Sequence, residues 1–282
     1  MFSPHNKHPA SGNCHLMTKF LCGLLLWCVM VFCLYLIGKQ WPAKHFLWSL
    51  LFLALQLYVA IQILLPILRL EPTQRSRVFY LLAATGLALL ITLSNSIPAN
   101  PFWQPLLAIA KSALLILSAT AIGTVLARFV TAIRNLIPIC IVMSLADISS
   151  WLIGPTADFS RQIETFYRKP IGPPPAVDQI LIKLAFPGMD RLVPVFGISD
   201  WIMVVLFINV ANKFSLNDNL LGIAAHQLIR QHRFGLYLPL PALALFSALV
   251  LAQTTGFFVP ALPFMAATML LWYGLHSLLA RK

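Results

Sequence analysis

Charge is what this sequence most lacks. Only 10% of its 282 residues are charged and only eight are acidic. A soluble domain carries about a quarter charged residues, so a water-soluble globule is excluded. Metal-binding patterns are missing as well. There is no C-x-x-C pair and no H-x-x-x-H pair, and of the five cysteines (Cys14, Cys22, Cys28, Cys33, Cys140) four lie in apolar runs, where they act as small hydrophobes. His5, His8, Cys14 and His15 share the N-terminal tail, which reads as flexible and polar rather than as a zinc site. No metal and no cofactor is expected. No repeat of roughly 20–50 residues is present. The first apolar run, 20–38, has no small-x-small cleavage site and reads as an uncleaved anchor.

What is present is hydrophobic sequence: 59% of residues, with a mean hydropathy of +0.83. Apolar runs at 20–38, 46–68, 78–94, 103–127, 132–154, 192–211, 236–254 and 257–279 are long enough to cross a bilayer, the third being short. They predict an all-α fold, a single transmembrane bundle over 20–282 behind a tail at 1–19. The net charge of +12 is scattered through short loops, which excludes a nucleic-acid face and suits topology determinants and lipid headgroup contacts. Lys7, Lys19, Arg69, Arg75, Arg77, Arg128, Arg134, Lys213, Arg230 and Arg233 fall on one side if both termini are cytoplasmic. Loop 155–191 then lies outside. Its prolines, Pro170 and Pro173 to Pro175, predict an extended or mobile stretch over 155–180.

Two of the eight acids sit where acids are least welcome. Asp147 lies within 132–154 and Asp200 within 192–211. A carboxylate at membrane depth costs about 2.5–3.5 kcal/mol even on a lenient scale and marks a functional site. If the fifth span runs outward to Gly154 and the sixth runs inward from Val193, each aspartate is about seven residues from the outer end, roughly 10 Å deep. Two antiparallel helices would then present carboxyls at matched depth. Such a pair cannot ionise both members cheaply and holds one proton between them. It supplies a general base to activate water and a general acid to the carbonyl oxygen of a peptide bond. The same pair could bind protons or cations in a transporter.

Three further segments surround these acids. Asp200 ends Gly197-Ile198-Ser199-Asp200, the last apolar run opens Val259-Pro260-Ala261-Leu262-Pro263, and Ile182-Lys183-Leu184-Ala185-Phe186-Pro187 precedes the Asp200 span. Together with Asp147 this resembles the presenilin and signal peptide peptidase family of intramembrane aspartyl proteases. That family carries Tyr-Asp, Gly-x-Gly-Asp and Pro-Ala-Leu in that order. The resemblance covers roughly 136–279 and depends on all motifs standing in order on the right spans. It implies a nine-span presenilin-like fold and catalysis by Asp147 and Asp200. It implies that Gly197, Ser199, Pro260, Ala261 and Leu262 face the substrate, and that substrates are transmembrane helices or signal peptides within the lipid bilayer. Two positions depart from the pattern: Ala146 stands in place of the tyrosine and Ser199 in place of the second glycine.

Other classes remain in competition: an ion-coupled transporter, a catalytically silent homologue that binds membrane helices, and a prepilin-type peptidase, which would not account for Pro260-Ala261-Leu262. A second Pro-Ala-Leu, Pro241 to Leu243, reads as an ordinary helix start at the inner end. Lys111 reads as snorkelling to the outer interface. Trp151 and Trp201 read as interfacial or packing residues, and His226 and His232 as loop residues without a catalytic role. The segment 179–186 is too short to span and predicts an extended stretch able to pair with an unwound substrate.

Overall fold

The computed structural model describes residues 11–41, 46–68, 86, 89–90, 92, 103–168, 174–221, 237–255 and 259–279. Most of the third apolar run, with His226 and His232, lies outside the described residues.

Helix dominates the described residues. The elements are α1 (Ser11–Gln40), α2 (Phe46–Leu68), α3 (Gln104–Phe129), α4 (Leu136–Leu152), α5 (Pro155–Arg168), strands β1 (Leu181–Leu184) and β2 (Val193–Gly197), α6 (Ile198–Lys213), α7 (Leu240–Thr255) and α8 (Ala261–Leu279). A 3-10 turn, Ile133–Asn135, precedes α4, and a second, Ala176–Ile180, leads into β1. Among the described residues, four helical stretches are long and apolar enough to cross a membrane: Met17–Gln40, Phe46–Pro66, Gln104–Phe129 and Ile133–Leu152. Leu240–Thr255 and Ala261–Gly274 are shorter apolar helices.

Helix α6 is the central element. Trp201, Val204, Phe207, Ile208, Val210 and Ala211 are all fully buried, and α6 packs chiefly on α3, with α7, α8 and α2 around it. Gly123 permits the α3–α6 contact. A Cβ there would stand 2.7 Å from the Ile202 carbonyl oxygen and 2.8 Å from Val205 Cβ, so only a hydrogen side chain lets the backbones come this close. The Trp201 indole N–H donates to Thr120 Oγ1 across the same interface at 3.1 Å.

Several sequence expectations are corrected. The run 192–211 is not one helix: residues 193–197 form β2 and α6 starts at Ile198. Val193-Pro194-Val195-Phe196 explains this, because β-branched residues favour extended backbone and Pro194 offers no N–H to a helix. The fold is predominantly helical, as expected, and carries a small two-stranded sheet. Residues 155–168 are helical, not extended. Pro155 suits a first helical position, and Ile163, Phe166 and Tyr167 are half-buried on one face while Arg161 and Glu164 stand exposed. Helix α1 also begins at Ser11, inside the segment read as a tail.

The expected extended stretch at 179–186 is present as β1, preceded by the 3-10 turn. It pairs antiparallel with β2: Leu181 with Gly197, Ile182 with Phe196, Lys183 with Pro194 and Leu184 with Val193, with a bulge between Ile182 and Lys183. Lys183 opposite Pro194 is a sensible register, because a proline is tolerated where no ladder hydrogen bond is required of it.

Candidate functional site

Asp200 is the third residue of α6, in its first turn, and Gly197 is the N-cap. The Gly197 N–H donates to Asp200 Oδ2 at 2.9 Å, the geometry of an acid reaching back to close a helix start. The side chain is half-buried. Its depth follows from the β2–α6 junction rather than from a helix entering at Val193, so the matched count of seven residues does not describe it. Phe196 stacks on Trp201 with centroids 6.1 Å apart, which fixes the turn that carries Gly197, Ser199 and Asp200. Ser199 is exposed, with its Oγ on the Gly197 side of that turn.

Asp147 lies on α4, five residues before its last residue, and is also half-buried. Helix α4 packs mainly on α8 rather than on α6. The Asp147 carboxyl interacts with the backbone N–H of Leu262, in the first turn of α8. Val259 and Pro260 are not helical and are half-buried, while Ala261 and Leu262 are buried. A carboxylate at a helix N-terminus meets free backbone N–H groups and the positive end of the helix dipole. The charge of Asp147 is felt at Asp200. The structure thus brings Asp147, Asp200, Gly197 and Leu262 to one region, where α8 contacts both acid-bearing helices. Pro241 is buried at the start of α7.

The sheet leads into this region. Two polar side chains that sequence reasoning passed over hold its far edge. Gln56, fully buried on α2, donates from Nε2 to the Ala185 carbonyl at 2.9 Å and accepts the Ala185 N–H on Oε1 at 2.9 Å. Ser112 Oγ on α3 accepts the Lys183 N–H at 3.0 Å. The available signal was Gln56 itself, an amide in the middle of the apolar run 46–68. Asp178 is buried, accepts from the Tyr167 hydroxyl at 3.0 Å and pairs with Lys183. Burial, then the Asp178 charge, pushes the Tyr167 hydroxyl upward.

A separate polar knot forms beyond the other end of α6. Asp218 is buried and accepts the Tyr237 hydroxyl at 2.8 Å. The Asp218 carbonyl accepts the Leu240 N–H at 2.9 Å. Gln62 donates to the Tyr237 carbonyl at 2.7 Å and the Trp272 indole donates to the Asn217 carbonyl at 3.2 Å. Burial pushes the Asp218 carboxyl up to about 7, with the Tyr237 hydrogen bond opposing that shift. Among the described residues, no group of three or more His, Cys, Asp or Glu side chains is arranged to hold a metal ion.

No family model, no curated protein and no solved structure matches the chain.

Proposed function

We propose that this chain is an intramembrane aspartyl protease of the presenilin and signal peptide peptidase type, cleaving transmembrane helices or signal peptides with Asp147 and Asp200. The observation that carries the reading is the meeting of Asp147 with the Leu262 N–H. It joins one acid to the Pro260-Ala261-Leu262 segment while the other acid sits at Gly197 within electrostatic reach. Sequence order alone does not require those segments to converge.

In this reading the less burdened carboxylate takes a proton from water as the water attacks a substrate carbonyl. The other carboxyl, protonated, donates to the carbonyl oxygen as charge develops there. Their roles exchange as the amine leaves. The Gly197 N–H and the start of α8 hold the two carboxyls in place. The non-helical Val259 and Pro260 provide irregular backbone where a substrate must unwind, which a membrane protein tolerates only against protein or water. An eight- or nine-span bundle with both termini cytoplasmic completes the proposal.

The test is incubation of purified protein with a single-span peptide in detergent, with and without an aspartyl-protease transition-state analogue. Analogue-sensitive cleavage within the apolar stretch supports the reading. Solute flux in proteoliposomes without cleavage points instead to a transporter. Ala146 and Ser199 favour one second reading, a silent homologue that binds membrane helices; it requires peptide binding with no cleavage.

A further inference from the structure

Helix α5 is too polar to cross a membrane and too one-sided to stand in water. Its 14 residues cover about 21 Å, short of a hydrocarbon core of roughly 30 Å. They include Asp158, Arg161, Glu164 and Arg168. The helix does not continue α4. The Ile153 and Gly154 N–H groups donate to the Ser149 and Ser150 carbonyls at 3.0 and 3.1 Å and close the α4 end. A Cβ on Gly154 would stand 2.8 Å from Ser150 Cα. Glycine therefore lets the chain pass close over the last turn of α4 before Pro155 opens α5. The far end of α5 is tied down: Ile163, Phe166 and Tyr167 are half-buried, and the Tyr167 hydroxyl donates to Asp178 at 3.0 Å. The near end of the same apolar stripe is bare. Phe159, one turn before Ile163, is 39% exposed, and Ile153, at the corner between the helices, is 92% exposed.

We propose that α5 lies in the membrane interface, with Ile153 and Phe159 inserted among phospholipid acyl chains and Arg161, Glu164 and Thr165 turned to headgroups and water. Those three residues are exposed on the opposite side of the helix. Two observations select lipid over a protein partner. The bare patch continues an exposed apolar surface that runs along α4 through Val142, Leu145 and Leu152, and on a membrane span such a surface faces lipid. Trp151 is exposed beside it, and an indole suits the headgroup level. The consequence reaches the site. Asp147 is six positions before Ile153 on the same stretch of chain, so an α5 held in the interface keeps that acid about 9 Å below it. The inference goes beyond the proteolytic reading and does not depend on it.

Photolabelling of the full chain in phosphatidylcholine vesicles tests this. The probe is a phosphatidylcholine carrying an aryl diazirine near the top of one acyl chain, and the adducts are mapped by mass spectrometry. Ile153 and Phe159 should label about tenfold more than Arg161, Glu164 and Thr165. Phe159→Asn should cut labelling across 153–159 by about tenfold and leave the labelling of α1 and α2 at the wild-type level, which shows that the variant is folded. Wild-type labelling that stops at Leu152 would overturn the inference, because α5 would then stand in water. Equal labelling of both faces of α5 would overturn it as well. So would labelling of Ile153 and Phe159 that disappears as the chain is concentrated in the bilayer, the mark of a second copy covering the patch. No arm of the experiment uses peptide cleavage, so a chain that labels as expected but never cleaves would sustain the inference and count against the protease.

Discussion

The carboxyl of Asp147 meets the backbone N–H of Leu262, so an acid on one helix is tied to the first turn of another that is more than a hundred residues away in sequence. Asp200 is tied in the same manner to its own helix start, through the Gly197 N–H at 2.9 Å. Both candidate catalytic carboxyls are therefore held by main-chain donors, which side-chain substitution does not remove.

Asp147→Asn and Asp200→Asn should each abolish cleavage and leave the fold intact, because asparagine keeps the shape and the hydrogen-bond acceptor but cannot serve as base. The double variant should be no worse than either single one, as the two residues act together. Asp200→Ala should differ from Asp200→Asn by losing about 0.5–2 kcal/mol of stability as well, since it uncaps α6. Cleavage of a single-span peptide and thermal unfolding of each variant check both points. Full activity in either asparagine variant would remove the dyad.

Pro260→Ala should lower turnover by less than the aspartate changes, because it reshapes the non-helical approach to α8 without removing a reacting group. Pro241→Ala, in the first turn of α7, should leave turnover within about twofold of wild type. Steady-state cleavage rates separate the two prolines, and equal effects would sink the assignment of Pro260.

Restoring the family pattern with Ala146→Tyr and Ser199→Gly should raise cleavage if those departures depress it. Ser199 is exposed, so its replacement should cost little stability. A silent wild type that becomes active in this double variant would identify the departures as the cause.

Asp218 gives a pH dependence of stability apart from the site. Its folded-state pKa is raised from 3.8 to about 7 by burial. The folded chain thus holds its proton more tightly than the unfolded chain, and stability falls as pH rises from roughly 4 to about 7. The facing Tyr237 hydroxyl, which donates to Asp218 at 2.8 Å, is protonated throughout that window, as any tyrosine is. Asp218→Asn should flatten this part of the profile in unfolding measured from pH 4.5 to pH 7.5, while wild type loses stability.

Gly123→Ala should destabilise the chain by about 1–3 kcal/mol, as for other overpacked contacts, since the new methyl would meet the Ile202 carbonyl and Val205. Ala119→Gly, one turn earlier on α3, should cost less. Unfolding of the two variants compares them directly.

Membrane embedding, most helix positions and the identities of both acids were legible in composition and in the placement of single residues, because a charge in an apolar run is costly wherever the run folds. Pro194 and Val195 carried a signal for a strand inside the run 192–211, yet apolar length outweighed it, since a hydrophobic window does not distinguish a short buried strand from the start of a helix. The amphipathic spacing of Phe159, Ile163 and Phe166 was likewise outweighed by the prolines that follow.

What the sequence by itself determined is local: which segments must leave water, where Pro260 starts a helix, and which acids are anomalous. Tertiary structure alone decided that Asp147 meets Leu262, that Asp200 belongs to a β2–α6 turn, and that Gln56 and Ser112 close one edge of the sheet. The physical reason is the range of the forces involved. Hydrophobic burial and backbone propensity act on neighbouring residues and leave a period in the sequence. A hydrogen bond between Gln56 and Ala185, 129 positions apart, leaves none, and exists only once α2 and β1 are packed together.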